Sequence, residues 1–194
     1  MSIAAEKLME VDEFFTWQQR QEKHYELVDG VPTEMMTGAS GLHNQIVTNI
    51  IALLKDKLRG GPCRPTTADI SVRTRIRSLR RPDVTVNCAP PRADVYDARE
   101  PRMVVEVLSP SNKGLKWTRK LNEYRRHEAL DYILLVDSET VGATLYSRSG
   151  AGWDDADADR LADVIDLPKL NCRMTLAEIY EGADLTEEQG AGAA

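Results

Sequence analysis

The sequence predicts an α/β domain in which helices are laid on a mixed β-sheet, and three observations carry that prediction. Alternating or wholly apolar runs at 70–77, 103–108 and 132–136 read as strands. The segment from 41 to 58 repeats its apolar residues at helical spacing. A further helical pattern, at 116–128, falls between two of the apolar strands. With 194 residues the chain is long enough for one well-buried domain and short for two. A single domain is expected over 1–185, with 186–194, ending Gly-Ala-Gly-Ala-Ala, as a disordered tail.

Taken in order, Val11 to about Glu22 carries Phe14, Phe15 and Trp17 and predicts a short amphipathic helix. Tyr25–Val28 is a strand, Asp29-Gly30 a hairpin turn, and Val31–Met36 the returning strand. Ser40 is placed to cap a helix on which Ile46, Val47, Ile50, Ile51, Leu54 and Leu58 share a face, and Gly60-Gly61-Pro62 ends it. From 70 to 77, Ile70, Val72, Thr74 and Ile76 face one way, with Ser71, Arg73, Arg75 and Arg77 on the other. Strands follow at 83–88, 103–108, 132–136 and 143–147, and a turn-rich acidic loop is expected at 150–159. Thr175 and Glu178 have the spacing of a capping box and open a last short helix.

Composition narrows the class. Hydrophobic content of 42% with 29% charged residues is that of a globular protein, and the apolar runs are strand-sized, too short to span a membrane. The N-terminus lacks the basic start and apolar stretch of a signal peptide. Cys63, Cys88 and Cys172 are odd in number and form no CxxC pair, which argues against a disulfide framework and a cysteine-built zinc site. The expected location is the cytoplasm. Net charge is −6, but it is unevenly spread: Arg64–Arg126 holds 15 Lys+Arg against 7 Asp+Glu, and the rest of the chain 10 against 24. A basic centre between acidic ends fits a face that meets nucleic acid, and equally a set of solvated basic loops.

Chemistry is suggested by two acids in apolar surroundings. Glu106 interrupts Met103–Leu108, and a lone carboxylate in a buried strand needs a cation, a proton or a metal. In the preceding strand Asp83, Thr85 and Asn87 share a face, so neighbouring strands would bring Asp83 and Glu106 together. Two such carboxylates repel unless one is protonated or a divalent cation lies between them, and hard oxygens suit Mg²⁺ or Mn²⁺. A Glu106–arginine ion pair is the structural alternative. On the following helix Trp117, Leu121 and Tyr124 form an apolar stripe, and Lys120 borders it. Lys120 can snorkel to water, or aim its ammonium at Glu106 and support charge growing on a phosphate.

Arg-Pro-Asp-Val-Thr-Val at 81–86, Val-Val-Glu-Val-Leu-Ser-Pro-Ser at 104–111, Lys-Leu-Asn-Glu-Tyr-Arg-Arg at 120–126 and Tyr-Ile-Leu-Leu-Val-Asp at 132–137 resemble, in that order, the bacterial putative restriction endonuclease family (Uma-type). That family belongs to the PD-(D/E)XK nuclease superfamily. Tyr-Glu-Leu-Val-Asp-Gly at 25–30, the helix from His43 and Leu-Ala-Glu-Ile-Tyr-Glu-Gly at 176–182 extend the likeness from about Val11 to Gly182. The resemblance implies a restriction-endonuclease-like core with Asp83 and Glu106 as metal ligands. The superfamily pattern expects a lysine where this chain has Leu108, and in this family the role passes to the following helix, hence to Lys120. Glu26 matches a further acidic position that completes the site as a third metal ligand, or is an exposed hairpin charge. Relatives often carry an acid where this chain has Lys116, which makes the helix entrance more basic. His43 reads as a capping or surface histidine and Ser109 as a turn residue without a nucleophile elbow.

The function expected is therefore Mg²⁺- or Mn²⁺-dependent hydrolysis of phosphodiester bonds by Asp83, Glu106 and Lys120. Its partner is nucleic acid, DNA in the first place, contacted by Arg73, Arg75, Arg77 and Lys116, with no membrane and with a homodimer as the candidate assembly. The alternative is a catalytically silent DNA-binding or protein-interaction module on a nuclease fold.

Overall fold

A computed structural model describes residues 8–35, 40–109 and 115–185, and of residues 115 and 116 the backbone alone. Its elements begin with α1 (Val11–Gln18), β1 (Tyr25–Val28), β2 (Val31–Glu34), α2 (Gly41–Lys57), β3 (Arg64–Thr67), β4 (Val72–Arg75), β5 (Ser78–Arg80) and β6 (Val84–Asn87). They continue with β7 (Pro101–Leu108), α3 (Leu115–Arg125), β8 (Tyr132–Asp137), β9 (Ala143–Ser149), β10 (Gly152–Ala158), β11 (Val164–Leu167), β12 (Cys172–Thr175) and α4 (Leu176–Ile179). The expected tail at 186–194 and the end of the predicted strand at Met36 lie outside the described residues.

The central sheet has the order β10-β9-β8-β7-β6-β3 and is mixed: β7 and β8 run parallel, and every other pairing is antiparallel. Parallel neighbours need a crossover, and α3 supplies it. Alternation along β7 and β8 divides their side chains between two layers. Val105, Val107, Leu134 and Val136 pack with Ile46, Ile50 and Leu54 of α2 and Leu176 and Ile179 of α4. Val104, Ile133 and Leu135 pack on the other face with Leu121 and Tyr124 of α3. Glu106 has the parity of Val104, so the alternation of β7 places it on the α3 face.

Beside this stands a four-stranded antiparallel sheet, β2-β1-β5-β4, covered by α1 through Val11 and Phe14 against Leu27 and Leu79. The caps are those the sequence indicates. Ser40 accepts the His43 N–H at the start of α2, and Thr175 and Glu178 form a reciprocal capping box on α4.

Several expectations need correction. The strand read over 70–77 stops at Arg75, Ile76 and Arg77 turn, and the chain returns as β5. Ile76 is 88% exposed at that turn, and a bulge between Arg73 and Arg75 breaks the alternation. The return is held by Ser78, whose hydroxyl accepts the Asp29 N–H and donates to the Asp29 carboxylate. The acidic stretch 150–159 is not a loop but the edge strand β10, paired along its length with β9. Gly150, at φ +54°, allows the tight turn between them, and the carboxylates belong to an exposed edge that repels further strands. β3 and the β11–β12 hairpin were not legible in the sequence. Cys63 and Cys88 are joined in a disulfide, because the β3–β6 register Arg64↔Asn87 sets them opposite one another. The expectation that the cysteines form no disulfide therefore falls, while Cys172 stays free and buried. Among the described residues no helix is long and apolar enough to cross a membrane.

Candidate active site

Antiparallel pairing of β6 and β7 runs from Val86↔Met103 to Val84↔Val105, and one further step along it sets Asp83 against Glu106. Asp83 closes that step itself: its Oδ2 accepts the Val107 N–H at 2.8 Å. Above Glu106 lies α3, whose Lys120 and Tyr124 are one turn apart and point the same way. Both reach the same oxygen. Tyr124 donates its hydroxyl to Glu106 Oε1 at 2.7 Å, and Lys120 Nζ lies 2.7 Å from it. The structure thus brings Asp83, Glu106 and Lys120 together.

Glu26 joins them from β1. It is not an exposed hairpin charge: Lys120 Nζ is 3.2 Å from its Oε1, which also accepts the Arg81 N–H, and Arg80 donates to its Oε2 at 2.9 Å. Arg80 in turn holds Glu123, wholly buried on α3, through two bonds of 2.7 and 2.8 Å. Isolated buried charges would be costly, and here each faces an opposite partner.

The two buried glutamates titrate in opposite directions. Burial raises the Glu106 pKa, Lys120 lowers it, and Asp83 and Glu26 raise it again, leaving it pushed up to about 7. Burial also works to raise Glu26, but Lys120, Arg80 and the Arg81 N–H outweigh it and hold the carboxyl below its usual range. Lys120 is opposed by burial, yet Glu106 and Glu26 keep its ammonium above the ordinary lysine range. Its charge is secure.

Three residues enter that the sequence reading left out of the site, and His43, expected as a capping or surface histidine, is instead a largely buried neighbour of Asp83. His43 is the first: its Nε2 stands 3.5 Å from Asp83 Oδ2, and that hydrogen bond raises its pKa against the effect of burial. Tyr124 read as part of an apolar stripe, and its hydroxyl is instead a fixed donor to Glu106. Arg80 lay in a basic stretch with no signal to single it out.

The remaining candidates lie elsewhere. Arg73 pairs with Asp97 and Asp12, Arg75 with Asp29, and Arg77 with Glu10. Thr74, between the first two, donates to Glu123, whereas the arginines of β4 are engaged by Asp12, Asp97 and Asp29 and not by Asp83, Glu106 or Glu26. The side chain of Lys116 lies outside the described residues.

The donor set is one of hard oxygens, and burial pushes the Glu106 carboxyl up in spite of the Lys120 ammonium beside it. Both conditions suit a divalent cation. Among the described residues no three His, Cys, Asp or Glu side chains are grouped to hold a metal ion. Two carboxylates suffice for Mg²⁺, which keeps several waters, and would not serve structural zinc.

The fold is a mixed α/β domain with helices on both faces of its central sheet. A solved structure described as a putative nuclease belonging to DUF820, from Anabaena variabilis, matches it with a TM-score of 0.70, covering 89% of this chain and 97% of that one. Identity there is 15%, so the likeness is one of fold. An uncharacterized protein of Synechocystis sp., slr1290, is 29% identical over 177 residues, 88% of this chain and 90% of that protein. The model of the Uma2 family, described as "Putative restriction endonuclease", matches residues 11–177, and the chain belongs to that family.

Proposed function

We propose that the protein is a metal-dependent endonuclease that hydrolyses phosphodiester bonds of nucleic acid, DNA in the first place. The observation that carries the reading is the Lys120 ammonium 2.7 Å from the buried Glu106, with Asp83 set against the same residue across the β6–β7 pair. Family and fold point the same way. Asp83 and Glu106 are the residues that would hold Mg²⁺ or Mn²⁺. When bound there, the cation neutralises charge on the phosphate and makes water a better nucleophile.

The chain's own groups do the rest. Lys120 presents a permanent positive charge beside the acids, where it orients the attacking water or steadies the phosphate oxygens as charge builds. Tyr124 fixes the Glu106 carboxylate by one oxygen, and the Val107 N–H fixes Asp83. The basic centre of the chain, with Arg73, Arg75, Arg77 and Lys116, is assigned to the phosphate backbone, and the cytoplasm to the encounter.

The test is a cleavage assay on mixed DNA and RNA substrates with Mg²⁺, Mn²⁺ and Ca²⁺, using wild type, Asp83→Asn and Lys120→Met. Expected are metal-dependent cleavage by wild type and a loss of about 10²-fold or more in both variants. Binding without cleavage under every metal would favour the silent module, and a Lys120→Met variant at wild-type rate would remove the lysine from the mechanism.

A further inference from the structure

We propose that Glu26 is a positioning residue for Lys120, and that it does not ligate metal. The inference rests on the nuclease reading for its consequence in rate, and on geometry for its substance.

Each oxygen of Glu26 is occupied by donors. Oε1 accepts the Arg81 N–H at 2.9 Å and faces Lys120 Nζ at 3.2 Å, and Oε2 accepts Arg80 at 2.9 Å. A cation entering this shell would displace a buried arginine or an amide, leaving one of them unsatisfied. Glu106 differs in kind. Among the described residues both side-chain donors that reach it converge on Oε1, so Oε2 is the oxygen left for a cation.

The bonds of Glu26 close a ring. Lys120 meets Glu26, Glu26 meets Arg80, and Arg80 grips Glu123 with two parallel bonds. Glu123 is three residues on from Lys120 in α3, so the ring returns to the helix at which it started. Thr74 and Arg119 donate to the same Glu123 carboxylate. Two points on one helical turn are thus tied to β1 and β5, and rotation of α3 about its axis would break both. The rotation that aims Lys120 at Glu106 is set by this clamp.

A split between rate and metal affinity tests the proposal. Glu26→Gln keeps the size of the side chain and an oxygen for the Arg81 N–H but removes its charge. Calorimetric titration with Mn²⁺ is expected to give the wild-type affinity, with Asp83→Asn as the control that loses it. The single-turnover cleavage rate is expected to fall about 10- to 100-fold at unchanged KM. Loss of Mn²⁺ binding in Glu26→Gln would make Glu26 a ligand and overturn the proposal, as would cleavage at the wild-type rate.

A second measurement stands apart from activity. In thermal melts Lys120→Met should lower Tm less in the Glu26→Gln background than in wild type, since the partners are coupled. Additive effects would overturn the positioning role even where cleavage is measurable. A wild type that neither binds Mn²⁺ nor cleaves would instead sink the nuclease reading and leave the coupling to stand or fall alone. Glu26→Asp keeps the charge should Glu26→Gln not fold, and by drawing the carboxylate back one methylene it should show the same split.

Discussion

The two faces of the central sheet differ in what they bury. Against α2, β7 and β8 present Val105, Val107, Leu134 and Val136 to Ile46, Ile50 and Leu54, without a charge among them. Against α3, the same two strands present Val104, Ile133 and Leu135, and among them Glu106 with Lys120 and Tyr124 above it. Apolar burial on the first face lowers free energy without need of geometry. On the second face a carboxylate has lost its water, and its energy depends on which donors stand within 3 Å of it. One face holds the fold, and the other is built on it.

The sharpest way to break this contrast is Glu106→Gln. Cleavage should fall about 10³-fold or more if the carboxylate holds the cation, and the rise in Tm with Mg²⁺ should vanish with it. Metal-free protein at pH 8 should melt at or above wild type, because the buried charge is gone while Lys120 keeps Glu26 as a partner. A large loss of metal-free stability with an unchanged response to Mg²⁺ would make Glu106 a structural ion-pair member.

Leu54→Ala asks the reverse question of the dry face. A fully buried leucine there should cost about 2–5 kcal/mol in urea unfolding and leave the Mg²⁺-induced shift in Tm intact. A changed metal response would show that the faces are coupled.

Acidity sharpens the comparison from the charged side. The folded Glu106 holds its proton more tightly than the unfolded chain does, with a pKa near 7 against 4.5. Its contribution is therefore fully present below about pH 4.5 and is lost as pH rises through 7, on the order of 3 kcal/mol in metal-free protein. Subtracting the Glu106→Gln unfolding free energy from that of wild type between pH 4 and 8 isolates Glu106 together with its coupling to Asp83 and Glu26, since carboxylates outside the cluster cancel. A flat difference would mean that Glu106 ionises normally.

The smallest effect is expected outside both faces. Replacing Arg73, Arg75 and Arg77 with Gln should cost little stability, because the three side chains are half-exposed and only the Arg73–Asp97 pair reaches a largely buried acid. If they meet phosphates, the slope of log affinity against log salt should flatten by up to about 3 units. An unchanged slope would make them a solvated edge.

Much of this could be read from local patterns. Ser40 and the pair Thr175/Glu178 mark helix starts within three residues of themselves, and alternation in 103–108 and 83–87 suffices to set Glu106 and Asp83 toward one face. Lys120 was reachable for the same reason, as a matter of helical register. Partners far apart in the chain were not. Arg80 and Glu123 are separated by 43 residues and Cys63 and Cys88 by 25, and nothing in either neighbourhood names the other. The strand β10 was misread because an exposed edge strand and a loop share the same polar composition, and only pairing with β9 tells them apart.

The sequence by itself determined the alternation that sends Glu106 to the α3 face, the helix that carries Lys120, and the presence of an uncompensated acid in an apolar strand. Tertiary structure alone decided what compensates it. Which of several nearby acids is saturated by donors, as Glu26 is by Arg80, Arg81 and Lys120, and which is pushed up by burial despite a lysine beside it, as Glu106 is, depends on distances between strands and helices that only long-range packing sets. Electrostatic energy in a dry interior changes over an ångström or two, and sequence spacing does not resolve that length.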